Sequence, residues 1–322
     1  MKHFIENIFR FLFFFLILSS LHIISVISLV GIENIPALNF TDSYSFNEKI
    51  LFIKKHSINP EIVSIGSSMT QNNLDSEVIL AEFQTTKYLN TASWGMKMQD
   101  NFNFLKLLYS IYPLDKIIIV SNVVDFQQGN KRMDSDFINY YLTNNNLGTS
   151  YSFMKNFNLS YYSENLKYAE YVRNCNNDYQ YLGYDQYGMV KFKNVGFNIK
   201  EKRWLDNHFD KEISEIEYVY LDSISKFCNE NNLKLYFFQS PYREGLFSEF
   251  NPAEMNIYNN HSSRLDSILK DKHHFVNSSK DIWNDSLFVD GIHFNDFGAE
   301  LFTKYCFDKI NETQITNSIY IK

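Results

Sequence analysis

Two stretches of the chain place residue types that together can do acyl chemistry. The first, "VSIGSSMTQNNL" from Val63 to Leu74, runs an apolar segment into a glycine and two adjacent serines. The second, "DGIHFNDFG", sets Asp290 and His293 in an Asp-x-x-His arrangement just before the last helical pattern. A serine hydroxyl is a weak nucleophile at neutral pH until a base accepts its proton, and an imidazole serves better when a carboxylate fixes its tautomer. Each signal also has an ordinary reading. A serine after a strand commonly caps the next helix, and Asp-x-x-His arises easily by chance in a chain with eight histidines. It is the two together, with the right elements between them, that point to a nucleophile and its base.

Those elements can be read from the periodicity. "NPEIVSIG" reads as a strand introduced by a proline turn, and "LDSEVILAEF" spaces Leu74, Val78, Ile79 and Phe83 as a helix does. "KYLNTAS" is a second short strand, "MQDNFNFLKLLYSIY" a helix, and "DKIIIVSNVVDF" a third strand whose unbroken apolar run suits burial on both faces. Further on come the helix "SEIEYVYLDSISKFCNENN", the strand "LKLYFFQS", a weaker strand "HHFVNS" and the closing helix "NDFGAELFTKYCFDKI". "KILFIKKHS" is ambiguous between helix and strand. The alternation predicts an α/β fold, a three-layer α/β/α sandwich around a central parallel, flavodoxin-like sheet. In such a sheet ligands bind beyond the carboxyl ends of the strands, so the loops "GSSMTQ", "SWGMK", "SNVVDF", "SPYREG" and "FVDGIHFND" are the ones to inspect. The Tyr- and Asn-rich region at about 127–210 breaks the rhythm and reads as a partly helical insertion.

Composition bounds what else the chain can be. With 322 residues, 45% of them hydrophobic, it can bury a sizeable core. A net charge of −7 without a basic cluster argues against nucleic acid as a partner. Cys175, Cys228 and Cys306 lack the spacing of a zinc site and read as packing residues, although an oxidising compartment would permit one bridge. His273 and His274 are adjacent on a strand and so face opposite ways. With no phosphate-loop or metal-ligand motif either, neither a metal nor a cofactor is expected.

Near the N-terminus, Phe11 to Gly31 contains no charged residue, and about 20 such residues span a bilayer core. Lys2 and Arg10 precede this segment, whereas the next basic residue is Lys49, after Glu33, Asp42 and Glu48. The positive-inside rule therefore puts the N-terminus in the cytoplasm and the rest of the chain outside it, as a single-pass cell-membrane protein. A cleaved signal peptide is the alternative, but no clear A-x-A site follows. The expected division is a cytoplasmic tip and transmembrane anchor over 1–31, a linker over 32–48, and a catalytic domain over 49–322 that carries the insertion.

In Gly66-Ser67-Ser68-Met69-Thr70 and Asp290-Gly291-Ile292-His293 the chain resembles the SGNH/GDSL hydrolase superfamily. The first block of that family is a strand followed by Gly-Asp-Ser, and its last is Asp-x-x-His before the final helix. The likeness runs from roughly Pro60 to Ile310, outside the insertion. It implies Ser68 as nucleophile, His293 as base and Asp290 as its orienter, with Ser67 where the family usually has Asp. It further implies an oxyanion hole from the N–H groups of Ser68 and Gly95. The family's third block is Gly-x-Asn-Asp, whereas "VSNVVDF" offers Asn122 one position off, so Asn122 is a third oxyanion donor or a turn residue at a strand end. Arg243 and Trp94 are candidate substrate contacts, to an anionic or sugar group and by stacking on a sugar ring. For Arg243 an ordinary surface ion pair is the favoured reading over the substrate contact, and Trp94 reads equally as a core or rim residue.

Ser67, the anchor and the external domain resemble the branch that handles cell-surface polysaccharides, such as the alginate acetyltransferases and the D-alanyl-transfer protein of teichoic acid systems. That likeness implies a membrane-anchored serine O-acyltransferase or esterase acting on acyl esters of a cell-surface polysaccharide. The acyl donor would be delivered by a membrane-bound O-acyltransferase. The alternative is a non-catalytic relative that binds polysaccharide or scaffolds a glycan assembly. The imperfect third block favours this alternative, and the retention of Ser68, Asp290 and His293 together disfavours it.

Overall fold

The structure is a computed structural model that describes residues 2–30, 36–56, 58–129, 133–144, 158–175, 178, 180–193, 212–278 and 281–320. Strands β1 (Ile62–Ser64), β2 (Tyr88–Asn90), β3 (Lys116–Ser121), β4 (Lys234–Gln239) and β5 (His274–Asn277) form one parallel sheet in the order β2-β1-β3-β4-β5. Side chains along the central strands alternate between faces, as the pleat requires. Ile117, Ile119, Leu235 and Phe237 enter one apolar layer, against Phe104 and Leu108 of helix Met98–Ile111 and Leu221 and Ile224 of helix Glu215–Glu230. Ile118, Val120, Tyr236 and Phe238 enter the other, against Ile79 of helix Ser76–Phe83 and Phe302 and Cys306 of helix Asp296–Tyr320. A strand buried on both faces must be apolar at every position, which explains the runs in "KIIIVS" and "KLYFFQ". The α/β/α sandwich expected from the sequence is the fold that forms.

The strand order fixes where a ligand can sit. From β1 the chain crosses to β2 on one side, and β3 then lies on the other side of β1, with Val63 in register with Leu89 and with Ile117. The crevice at the carboxyl ends of β1 and β3 is therefore the point where the connections diverge, the usual ligand position in an open α/β sheet. β1 is short, and the side chain of Thr70 completes the hydrogen bonding beside it. Thr70 Oγ1 donates to Val120 O at 2.7 Å and accepts from the Val120 N–H at 2.9 Å.

Two boundaries differ from expectation. The ambiguous "KILFIKKHS" belongs to a helix, Tyr44–Lys55, because Phe46, Ile50 and Ile53 share one buried face. The stretch read as a linker is packed from Ala37 onward: Ala37, Leu38 and Phe40 are buried, and Asn47 Oδ1 accepts from the N–H groups of Phe40 and Thr41 at 3.0 and 2.9 Å. So few apolar residues among polar ones give no periodic signal, and their burial depends on a helix that the sequence leaves undecided.

Of the insertion, 130–132, 145–157, 176–177, 179 and 194–210 lie outside the described residues. The described parts include helices Ser135–Thr143 and Leu159–Asn174, and a strap over 181–193 that covers the edge strand β2. The Asn90 N–H donates to Tyr187 O at 2.7 Å, and the buried Lys49 Nζ donates to Asn90 O at 3.2 Å and also to Gly188 O. Desolvation lowers Lys49 to about 7. Gly188 has φ +88 and lies so close to β2 that a Cβ would come within 2.5 Å of Asn90 O, so glycine is required there.

Cys228 and Cys306 are buried in opposite layers and Cys175 is half-buried, all three as free thiols, in keeping with a packing role. Lys2–Val30 forms one helix whose segment Lys2–Ser25 is long and apolar enough to cross a membrane and is exposed to its surroundings.

His261 is fully buried, accepts or donates at Nδ1 with Tyr218 Oη at 2.7 Å, and lies against Phe126. Desolvation first, and Arg264 second, lower it from 6.5 to about 3. Above the ordinary value the ring is neutral in folded and unfolded chains and pH has no effect through it. Below that value the unfolded chain takes up a proton that the folded chain refuses, so stability falls with pH by up to about 1.4 kcal/mol per unit. His261→Phe is expected to flatten the dependence of unfolding free energy on pH between about pH 6 and 4.5, measured by urea titration at several pH values.

Candidate active site

The turn after β1 is shaped by steric necessity. Gly66 has φ +153, and a Cβ on it would come within 2.0 Å of Thr70 Oγ1, the hydroxyl already committed to β3. Next, Ser67 caps helix Ser68–Asn72, its Oγ accepting from the Met69 N–H at 3.1 Å. Cap and nucleophile candidate are thus separate residues. With Met69 satisfied by Ser67, the Ser68 N–H has no hydrogen-bond partner among the described residues, while the Ser68 side chain is part exposed.

The loop before the last helix carries the other two groups. Asp290 Oδ1 accepts from the N–H groups of Ile292 and His293 at 2.9 and 2.8 Å, which folds the loop around the carboxylate. Its Oδ2 lies 2.6 Å from His293 Nδ1, and His293 Nε2 lies 2.8 Å from Ser68 Oγ. With the ring proton on Nδ1, held by Asp290, Nε2 is free to accept the serine proton. Burial opposes ionisation of Asp290, but the facing imidazole, its ring N–H and the two backbone N–H groups outweigh it and hold the carboxyl below its ordinary value.

Asn73 and Arg243 keep this loop in place. Asn73 Nδ2 donates to Ile292 O at 2.9 Å and its Oδ1 accepts from the Phe294 N–H at 2.9 Å, tying the histidine loop to the serine helix. The Arg243 N–H donates to Gly291 O at 3.2 Å, and its Nη1 donates to Asp285 Oδ2 at 2.9 Å. Arg243 is buried, so the substrate contact read from its position gives way to the ion-pair reading: the guanidinium sits against a carboxylate on the same loop. Trp94 is half-buried against the cluster of Val172, Leu182, Val190 and Phe192, with its backbone N–H on Ser45 Oγ at 3.2 Å. That places it at the rim, beside the strap from the insertion. Phe192 of this strap meets the His293 ring edge-on at 6.4 Å between centroids, and its carbonyl accepts from the Asp296 N–H at 2.8 Å.

The oxyanion candidates come from neighbouring loops. The Ser93 N–H donates to Gly66 O at 3.0 Å and so draws the loop that carries Gly95 against the serine turn. Gly95 itself is exposed, has φ 63, and its N–H has no partner among the described residues. Asn122, at the end of β3, is buried. Its Oδ1 accepts from the Val124 N–H at 3.0 Å, and its Nδ2 points to the start of the serine helix, 3.6 Å from Met69 Sδ. The turn reading and the donor reading of Asn122 are therefore compatible, because each uses a different end of the amide. Asn122→Ala is expected to lower kcat by about 10²-fold with KM little changed. Asn122→Asp, which keeps the cap but loses the N–H donors, should lose at least as much, as steady-state kinetics on an ester substrate would show.

Sequence reasoning missed Asn73, Phe192 and Asp125. Asn73 was visible only as part of a polar run, and Phe192 lay in a region without usable pattern. Asp125 did have a signal, since an acidic residue three after Asn122 has the spacing of a capping box. Among the described residues no cluster of His, Cys, Asp and Glu could hold a metal. As expected, His273 and His274 diverge, His273 Nε2 lying 2.8 Å from Ser225 Oγ while His274 stacks on Tyr236.

No family model matches the chain, and no curated protein does. Solved structures that it resembles include an acetylxylan esterase from Geobacillus stearothermophilus, at 12% identity over 80% of this chain and 95% of that one, with a TM-score of 0.38. A candidate lipolytic protein of the G-D-S-L family from Desulfitobacterium hafniense matches at 11% identity over 77% and 97%, with a TM-score of 0.36. A candidate acylhydrolase from Bacteroides fragilis matches at 11% over 81% and 95%, with a TM-score of 0.39. At that overlap these neighbours carry no argument about the chemistry of this chain, which rests on its own residues.

Proposed function

We propose that the chain is a serine esterase or O-acyltransferase of SGNH type, in which Ser68, His293 and Asp290 act as a triad. The observation that carries this reading is the unbroken hydrogen-bonded line from Ser68 Oγ to His293 Nε2 at 2.8 Å and from His293 Nδ1 to Asp290 Oδ2 at 2.6 Å. In the first half-reaction Ser68 Oγ bonds to the acyl carbonyl carbon as His293 Nε2 takes its proton. The oxyanion that forms is held by the N–H groups of Ser68 and Gly95 and by Asn122 Nδ2. The start of a helix favours that charge as well. Collapse breaks the bond to the leaving alkoxide, which takes the proton from His293, and leaves an acyl-serine. A second hydroxyl then repeats the steps in reverse: water gives hydrolysis, and a sugar hydroxyl gives transfer.

Membrane anchoring through Lys2–Ser25, with the catalytic domain on the extracytoplasmic side, is part of the same proposal and rests on the length of that helix and on Lys2 and Arg10 before it. So placed, the enzyme would meet the acyl esters of a cell-surface polysaccharide, supplied with acyl groups by a membrane-bound partner. The test is to give the detergent-solubilised full chain an activated acetyl ester with and without oligosaccharide acceptors. Acetylated oligosaccharide at the expense of free acetate supports transfer. Hydrolysis that no acceptor diverts supports the esterase alone, and a chain that turns over no ester at all supports the non-catalytic alternative.

A further inference from the structure

We propose that Asp125 is a positioning residue for the oxyanion hole, acting through Ser67 and Asn122; this rests on the serine-ester reading above. Asp125 is buried, with 5% of its surface exposed, although nothing in a capping role requires a carboxylate to leave solvent. Its Oδ2 accepts from Ser121 Oγ at 2.9 Å and from the Asn122 N–H at 3.4 Å. Ser67, on the serine turn, lies near enough to the same carboxylate to favour its charged form. Lys97 lies close enough to interact with it electrostatically while its Nζ donates to Val124 O at 2.7 Å. One carboxylate, bonded at the end of β3, thus has Ser67 of the loop after β1 and Lys97 of the loop after β2 as its electrostatic neighbours, and these three loops carry the oxyanion candidates.

The direction of the hydrogen bonds gives the joint its effect. A carboxylate only accepts, so toward Asp125 the Ser67 hydroxyl can only donate, and the lone pairs of Ser67 Oγ are left to the Met69 N–H that they cap. That sets the first turn of the serine helix and leaves the Ser68 N–H unclaimed. The same carboxylate fixes the backbone of Asn122, whose Oδ1 is tied to Val124, and this aims Nδ2 at the serine turn. Burial works against a charge at Asp125, and Lys97 with the surrounding hydroxyls offsets it in part. A group whose burial opposes its charge, and that is bonded to the backbone of Asn122 beside the serine turn, acts on the alignment of those two loops.

Asp125→Asn preserves shape but makes the relation to Ser67 ambiguous, and it is expected to lower kcat about 10- to 100-fold, less than deletion of a donor, with KM changed less than about threefold. A peptide-like boronic acid, whose serine adduct is tetrahedral, should bind the variant more weakly by a similar factor. Ser67→Ala, which keeps the carboxylate, should show the same kcat-specific loss, and the double variant should lose no more than the worse single one. The proposal is overturned if Asp125→Asn leaves kcat and boronate affinity within about twofold, or if the two substitutions add. Should Asp125→Asn not fold, Ser67→Ala alone decides, with unchanged kcat counting against. A wild type that neither turns over esters nor binds boronate contradicts the serine-ester reading itself. A fully active wild type beside an unaffected Asp125→Asn contradicts the positioning role alone.

Discussion

Replacing Ser68 by alanine is expected to lower ester turnover by at least about 10⁴-fold while leaving the protein folded. The chemical part follows from the proposed mechanism, since among the described residues no other hydroxyl is bonded to His293 Nε2 and no acyl-serine can form without one. The folding part follows from the local structure. The helix cap belongs to Ser67, and Ser68 occupies a first-turn helical position where alanine is a good former, so unfolding free energy should change by less than about 1 kcal/mol. His293→Ala should cost about as much, and the double variant little more than either, because serine and histidine act as one unit. Steady-state rates together with denaturant titrations separate the two parts.

Asp290→Asn is the second large effect, expected at about 10⁴-fold in kcat. The substitution is nearly isosteric, and the Oδ1 position would still accept from the N–H groups of Ile292 and His293, so the loop should keep its shape. What changes is the proton on the ring. An amide N–H₂ facing His293 Nδ1 at the present 2.6 Å contact favours the tautomer with its proton on Nε2, pointing at Ser68, and that ring cannot act as base. If Asp290 were merely a loop residue, asparagine would serve nearly as well and kcat would stay within about tenfold.

Much of this site was legible because its parts obey strong local rules. The glycine after β1 has no room for a Cβ, the loop of Asp290 and His293 closes on itself over a four-residue span, and the apolar runs of β3 and β4 announce a sheet covered on both faces. These features leave marks within a few residues of where they act. Asn73, Phe192 and Arg243 do not, because their roles are set by partners far along the chain, at Ile292, Asp296 and Asp285. An asparagine that clamps a distant loop is indistinguishable in sequence from one in any polar turn. For Arg243 the same blindness leaves the partner unnamed: a cation in a loop after a strand suits a ligand or an ion pair, and the fold supplies the carboxylate beside it. The segment before Lys49 was misjudged for a related reason, since Ala37 and Phe40 are buried by tertiary packing that no periodicity encodes.

The central claim is that Ser68 is a nucleophile activated by His293. The most direct measurement is reaction of the full-length chain with a fluorophosphonate, followed by mass mapping of the adduct. A single phosphonyl group on the peptide carrying Ser68, absent in Ser68→Ala and slowed by orders of magnitude in His293→Ala, is the expected result. No adduct on the wild type, or an adduct on another residue that persists in Ser68→Ala, would contradict it.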